Sequence, residues 1–183
     1  MHALLQMVDL GLRFRHAIHE FLNIKPGIGT TKPHWIAIGL LSALLIAGAF
    51  KVIVLGNTEP AEDGRTALIL EPAERQAVLG EMRMLLEASQ TIVEALANDD
   101  LAAVEAAATP LGSAAIATVD FSLRAKLPLE FKKLGFGTHY AFDDIAKMAK
   151  EKQPAKQIQL KLADTMNNCI ACHALYQLPE KKI

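Results

Sequence analysis

Residues 155–176 read AKQIQLKLADTMNNCIACHALY, and the rest of the chain is organised around this stretch. Its apolar positions recur at spacings of three and four residues, which predicts one amphipathic helix with a single inward face. The preceding Gln153-Pro154 marks where this helix begins. The predicted inward face consists of Ile158, Leu162, Thr165, Met166, Cys169, Cys172, His173 and Tyr176.

The end of this stretch, Cys169-Ile170-Ala171-Cys172-His173, is a C-x-x-C-H pentad, the attachment signature of a c-type haem. On a helix the two cysteines and His173 project from one face, because they stand at i, i+3 and i+4. Two thiols can then bond the two vinyl groups of one porphyrin while the imidazole ligates the iron. The pentad therefore predicts Cys169 and Cys172 as covalent haem attachment sites and His173 as the proximal iron ligand.

Two other uses of a C-x-x-C pair fit the sequence less well. A thioredoxin-type redox pair needs a strand followed by a helix, and a structural zinc site needs further cysteine or histidine ligands at short spacing. The chain has only two cysteines. The surroundings read as helical, and the nearest other histidine is His139, about thirty residues upstream.

Composition and charge indicate a chain that crosses a membrane. Of its 183 residues, 51% are hydrophobic. Residues 1–56 contain five Lys/Arg and two Asp/Glu, and residues 57–183 contain fourteen and eighteen, giving +3 and −4. Without a basic domain, no nucleic-acid partner is predicted.

Residues 34–56 are predicted to form a single transmembrane helix. The twenty-one positions from Trp35 to Leu55 would span about 31 Å as a helix, and Lys51 lies near one end, where its ammonium can reach the interface. Basic residues precede the segment and acidic residues follow it, so we expect a bacterial inner-membrane protein with a cytoplasmic N-terminus and a periplasmic haem domain. Ala47-Gly48-Ala49 resembles a cleavage site, but the long n-region favours an uncleaved anchor.

Residues 1–33 are predicted to form an amphipathic helix and a linker on the cytoplasmic side. The helix would end near Pro26 and lie on the membrane surface or dock on a membrane partner. The alternative is an extended signal n-region.

Residues 57–70 are predicted to be a polar linker, and residues 71–183 an all-α antiparallel four-helix bundle. The expected helices are residues 71–97, residues 101–126 with a kink at Pro110, residues 129–150 interrupted at 135–137, and the pentad helix. The inner face of the first helix is predicted to contain Leu79, Met82, Leu86, Ser89, Val93 and Leu96.

With the pentad on the last helix of such a bundle, residues 70–178 resemble the class II cytochromes c, the cytochrome c′ family and its low-spin relatives. Besides the pentad, the resemblance rests on Glu81-Met82-Arg83, residues 97–108 and residues 134–143. It implies one covalent haem c and pairing of two copies through the first two helices. Family members usually carry a basic residue shortly after the pentad, whereas Gln177 follows Tyr176 here.

The resemblance leaves the sixth iron position open between a methionine of the first helix and no ligand. Met82 is the candidate because it lies on the predicted inner face, whereas Met84 lies about 200° around the helix. A methionine at this spacing is also ordinary core filling. His139 is a rival ligand, with a surface histidine as the alternative interpretation.

The predicted function is single-electron transfer on the periplasmic face by a membrane-anchored monohaem cytochrome, as a subunit of or donor to a respiratory membrane complex. A five-coordinate protein that binds NO or CO is the alternative. No catalytic constellation accompanies the pentad, so no enzymatic activity is expected. A lysine cluster on the last two helices would steer an acidic redox partner or form a solvated face: Lys132, Lys133, Lys147, Lys150, Lys152, Lys156 and Lys161.

Overall fold

The computed structural model of the protein describes residues 32–180, which are mostly helical, as predicted. The N-terminal amphipathic helix predicted from the sequence lies outside the described residues. The α-helices in the described range are α1 (Lys32–Phe50), α2 (Pro72–Ala97), α3 (Leu101–Ala108), α4 (Ser113–Thr118), α5 (Phe121–Lys126), α6 (Leu129–Lys150) and α7 (Ala155–Leu175). A π-helical turn (Lys51–Leu55) extends α1, and a 3-10 turn (Thr109–Leu111) follows α3. The strands are β1 (Thr58–Pro60), β2 (Thr66–Leu68) and β3 (Tyr176–Gln177).

Among the described residues, two helical stretches are long and apolar enough to cross a membrane, by length and composition alone. Pro33–Leu55 has a mean hydropathy of 2.4 and none of its most apolar window is buried within the protein. Leu101–Thr118 has a mean hydropathy of 1.3, and its helices pack against α2 and α6. The first stretch therefore matches the predicted span, and the second contributes to the folded domain.

Residues 47–180 belong to one compact unit, whose main apolar core is formed by α2, α3, α6 and α7. In it, α6 packs against α3 and α7, and α2 packs against α3 and α7. The fully buried side chains of this core include Ile92, Val104, Phe142, Ile145 and Ile158. Helix α2 begins at a capping box, in which the Glu74 carboxylate accepts the Glu71 N–H at 2.9 Å. The predicted bounds of α2, α6 and α7 are confirmed within a residue or two.

The segment after α2 differs from the predicted single kinked helix. Helix α3 stops at Ala108, since Pro110 has no N–H to continue the ladder, and Gly112 then lies against the Asp143 carboxylate. Asp120 begins a new helix by accepting the Ser122 N–H at 2.6 Å. The predicted interruption of α6 at residues 135–137 is wrong, because the helix runs through both glycines.

Residues 57–70 contain ordered structure where a linker was predicted. Strands β1 and β2 pair antiparallel, and β2 pairs parallel with β3, so that Thr66 lies opposite Tyr176. Leu68 and Leu70 are buried in a second apolar cluster beside the end of α7. Asn57 donates its N–H to the Lys126 oxygen at 2.7 Å, and Lys132 donates to the Ile53 oxygen at 3.1 Å. Residues 53–57 are therefore attached directly to the rest of the domain.

Gly56 is the residue at which this attachment is tightest. Its φ is +64°, and a Cβ there would lie 2.5 Å from the Lys126 oxygen and 2.6 Å from the Pro128 nitrogen. Gly64 also has a positive φ, +84°, but open space around it. We expect Gly64→Ala to lose about 1–3 kcal/mol from backbone strain alone, and Gly56→Ala to lose clearly more. Urea unfolding of the full chain in detergent checks this, and equal losses in the two variants would contradict the tight attachment.

Candidate functional site

The two halves of α7 have different environments. In the first half Ile158, Leu162 and Thr165 are buried, as predicted. In the second half Cys169 and His173 are exposed and Cys172 is half-buried, so the prediction that the whole series faces inward is wrong for this half. The pentad therefore occupies the last turns of α7, where the side chains are accessible to a large ligand.

A pocket of about 190 Å³ brings the pentad together with α2. Cys172 and His173 line it from α7, and Leu79 and Met82 line it from α2. The remaining lining residues are Arg65, Phe131, Tyr176, Gln177 and Leu178. This pocket contains three of the predicted site residues, Cys172, His173 and Met82. The fourth, Cys169, lies one turn earlier on α7 and is exposed.

The assignment of faces on α2 is only partly correct. Leu79 and Met82 line the pocket, and Met84 is 51% exposed, as expected. Leu86 and Val93, predicted to point inward, are 67% and 52% exposed. Ala88, Ile92 and other residues contact the core instead, because small alanine side chains allow the helices to approach closely along that side. Leu96, also predicted to point inward, is buried in the core. The predicted inner face is therefore right near both ends of α2 and wrong at Leu86 and Val93.

The wall of the pocket is apolar. Met82, Cys172, Tyr176 and Leu178 pack against the cluster of Leu68, Leu70, Val78, Leu123, Leu127 and Phe131. The rings of Phe131 and Tyr176 meet edge to face with centroids 5.3 Å apart. An apolar wall of this kind is typical of a site that binds an apolar ligand.

Both cysteines are free thiols. Although Cys169 is exposed as a residue, partial desolvation of its thiol raises its pKa. Burial, with a smaller effect of the neighbouring Cys169, raises the pKa of Cys172 to about 11. Redox-active C-x-x-C pairs have the opposite property, a lowered thiol pKa at the beginning of a helix. The environment of this pair therefore argues against dithiol exchange chemistry.

Arg65 is a pocket residue that sequence reasoning missed. It lies in the turn before β2, and its Nη1 donates to the main-chain oxygens of His173 and Tyr176, each at 3.3 Å. Its Nε donates to Asp63 Oδ2 at 2.7 Å. No local pattern identifies such a residue, since 108 positions separate it from His173.

His139 is buried rather than on the surface, and partners at both ring nitrogens leave neither one free for a metal. It is 4% exposed, its Nδ1 lies 2.8 Å from the Leu111 oxygen, and its Nε2 lies 3.1 Å from Glu81 Oε1. Because both partners are acceptors, both ring nitrogens donate and the imidazole is charged. The hydrogen bond to Glu81 raises the pKa of His139 against the opposing effect of burial. The pair holds α2 to α6 one residue before Met82.

The His139–Glu81 pair predicts a pH-dependent stability. Since the pKa of His139 is raised on folding, its contribution is complete below about pH 6.5 and is lost as the pH rises through the higher folded value. We expect His139→Gln to destabilise the domain by about 1.5–3 kcal/mol at pH 6, with a smaller effect at pH 9. Urea unfolding at both pH values checks this, and Glu81→Gln should remove the same slope. An equal loss at both pH values would contradict the charged pair.

The lysine cluster of α6 and α7 is partly neutralised. Lys133 pairs with Glu130 at 2.7 Å, Lys147 with Glu151 at 3.9 Å, and Lys161 with Asp144 at 2.6 Å. Each pair reduces the long-range field that would steer an acidic partner. The pairing favours the interpretation of this surface as a solvated face.

The residues at the pocket fit a covalently bound haem by their chemistry. Two free thiols stand at i and i+3, an exposed imidazole stands at i+4, and a thioether lines the same apolar pocket from another helix. Within residues 32–180, no group of three or more His, Cys, Asp or Glu side chains forms an alternative metal site. Comparisons of the chain with protein-family models, curated proteins and solved structures find no match.

Proposed function

We propose that the protein is a membrane-anchored monohaem cytochrome of the c type that carries single electrons and has no enzymatic activity. One observation carries this proposal: the pocket shared by Cys172 and His173 of α7 with Met82 of α2. Cys169 and Cys172 would attach the haem, His173 would ligate the iron, and Met82 would be the second candidate iron ligand. The haem supplies the one-electron chemistry when bound, and the apolar wall formed by the cluster around Phe131 excludes water from it.

The fold proposed for the haem domain is an antiparallel four-helix bundle of the cytochrome c′ kind, the family that the sequence resembles. Its four members would be α2, the broken segment α3–α5, α6 and α7. The packing of α6 on α3 and α7, and of α2 on the same two helices, supports this arrangement. Homodimerisation, which the resemblance implies, belongs to the same proposal.

The proposed location is the bacterial inner membrane, with α1 as an uncleaved anchor, the N-terminus in the cytoplasm and the haem domain in the periplasm. The hydropathy of Pro33–Leu55 and the acidic residues that follow it support this topology. Asn57, two residues after the apolar stretch, donates its N–H to the Lys126 oxygen, so the haem domain would follow the anchor closely in the chain. The proposed redox partner is a protein on the periplasmic side, such as a respiratory membrane complex.

A five-coordinate protein that binds NO or CO is the second candidate function. Leu79 supports it, because this apolar side chain lines the pocket on α2 beside Met82. If Leu79 faced the iron, the sixth position would be open to a diatomic gas. The two candidates differ in whether Met82 would ligate the iron, and they share every other residue.

Visible spectra of the full chain in bacterial membranes test the proposal. A host that matures c-type cytochromes should yield reversible oxidised and reduced haem spectra, with the band near the red edge of the visible range that marks methionine ligation. The reduced protein should not bind CO. A high-spin spectrum with ready CO binding would support the second candidate, and the absence of any haem spectrum would contradict both.

A further inference from the structure

Arg65 brings a positive charge to the pentad from a distant part of the chain. Its Nη1 contacts the main-chain oxygen of His173 itself, and its side chain lines the pocket with Met82 and Cys172. The charge is thus held beside the residue proposed to ligate the iron.

The position of Arg65 is fixed by two independent features. The last carbonyl groups of α7 lack partners within the helix and carry partial negative charge, so a guanidinium there is stabilised. The next residue, Thr66, is paired with Tyr176 in the parallel register of β2 and β3. The strand pairing therefore keeps Arg65 at the end of α7 even when its side chain has lost its contact with Asp63.

That other contact is with Asp63, which supplies the opposite charge. Arg65 Nη2 and Nε both lie 2.7 Å from Asp63 Oδ2. The hydrogen bond from the Arg65 side chain holds the pKa of Asp63 below its usual range, so both groups are ionised at neutral pH. The pair is neutral as a whole, but its cationic member is the one that contacts α7 and the pocket.

We propose that this pair sets the reduction potential of the haem, with Arg65 raising the potential and Asp63 lowering it. The inference rests on the proposed function, since it assumes haem on Cys169 and Cys172. One-electron reduction of the site by a redox partner protein lowers its charge by one unit. A cation nearby favours the reduced form, and an anion favours the oxidised form.

The two charges predict opposite shifts in potential. Arg65→Gln leaves Asp63 unpaired and should lower the equilibrium constant for reduction about tenfold, which corresponds to ~59 mV for one electron. Asp63→Asn leaves Arg65 unpaired, still bonded to the oxygens of His173 and Tyr176, and should raise the potential by a comparable amount. The double variant should return close to the wild-type potential.

Spectroscopic redox titration of the full-length protein in detergent measures these shifts. Lys156→Gln is the matched control, because it removes one positive charge from the start of α7, about 26 Å from His173 along the helix, and should leave the potential unchanged. Arg65→Lys keeps the charge and should retain the wild-type potential within about twofold in the equilibrium constant, ~18 mV.

A purely structural role for Arg65 makes a different prediction. If Arg65 only holds the end of α7 in place, the reduction potentials of both single variants should shift in the same direction or stay unchanged. Either result would overturn the inference. If Arg65→Gln does not fold, Asp63→Asn and Arg65→Lys decide the question by themselves. Haem content is measured in the same samples: wild-type protein without haem would refute the proposed function, whereas full haem content with unmoved potentials would refute only the inference.

Discussion

Replacing both Cys169 and Cys172 by alanine is expected to remove all covalently bound haem from the protein. The two thioether bonds are the only covalent links available, because the chain has no other cysteine. Each single variant should retain a reduced amount, since one bond can still form. Haem staining after denaturing electrophoresis checks the result, because only covalently attached haem stays with the chain.

Ile170→Ala is the matched control for this experiment. Ile170 lies between the two cysteines and is 67% exposed, so its truncation leaves the spacing and the core intact. Its haem content should equal that of the wild type. Haem that remains attached in the double cysteine variant would contradict the assignment of the pentad.

Met82→Leu is expected to convert a six-coordinate iron site into a five-coordinate one. Leucine has similar volume and no sulfur, so it should preserve packing against the cluster around Phe131 while removing the thioether. The band near the red edge of the visible spectrum should disappear. The reduced variant should also bind CO, which the wild type should exclude.

Met84→Leu provides the control on the same helix. Met84 is 51% exposed and does not line the pocket. The spectrum of the Met84→Leu variant should therefore match that of the wild type. An unchanged spectrum in Met82→Leu would show that Met82 is core filling. Loss of the band in Met84→Leu instead would mean that the faces of α2 are wrongly assigned.

Local patterns in the sequence predict part of this site because helical periodicity is local. The bounds of α2, α6 and α7 follow from breaks such as residues 98–100 and Pro154, and the position of Met82 on the pocket side of α2 follows from spacing. The exposed face of the pentad does not follow, because periodicity does not distinguish a face covered by protein from one left open to a ligand.

Long-range contacts explain what the sequence does not predict. The short strands β1 and β2 carry almost no periodic signal, and the parallel pairing of β2 with β3 joins positions more than a hundred residues apart. That pairing and the hydrogen bonds of Arg65 to the His173 and Tyr176 oxygens bring Arg65 to the pocket. The charge of His139 likewise depends on Glu81 and the Leu111 oxygen, which meet it only when α2, the 3-10 turn and α6 pack together.

Covalent haem on Cys169 and Cys172 is the central claim, and a pyridine haemochrome assay of the wild-type protein tests it most directly. The full chain is produced in a host that matures c-type cytochromes, precipitated to remove free haem, and assayed for haem per chain. We predict one covalently bound haem c per chain. Protein that is folded, inserted in the membrane and free of covalent haem would contradict the account.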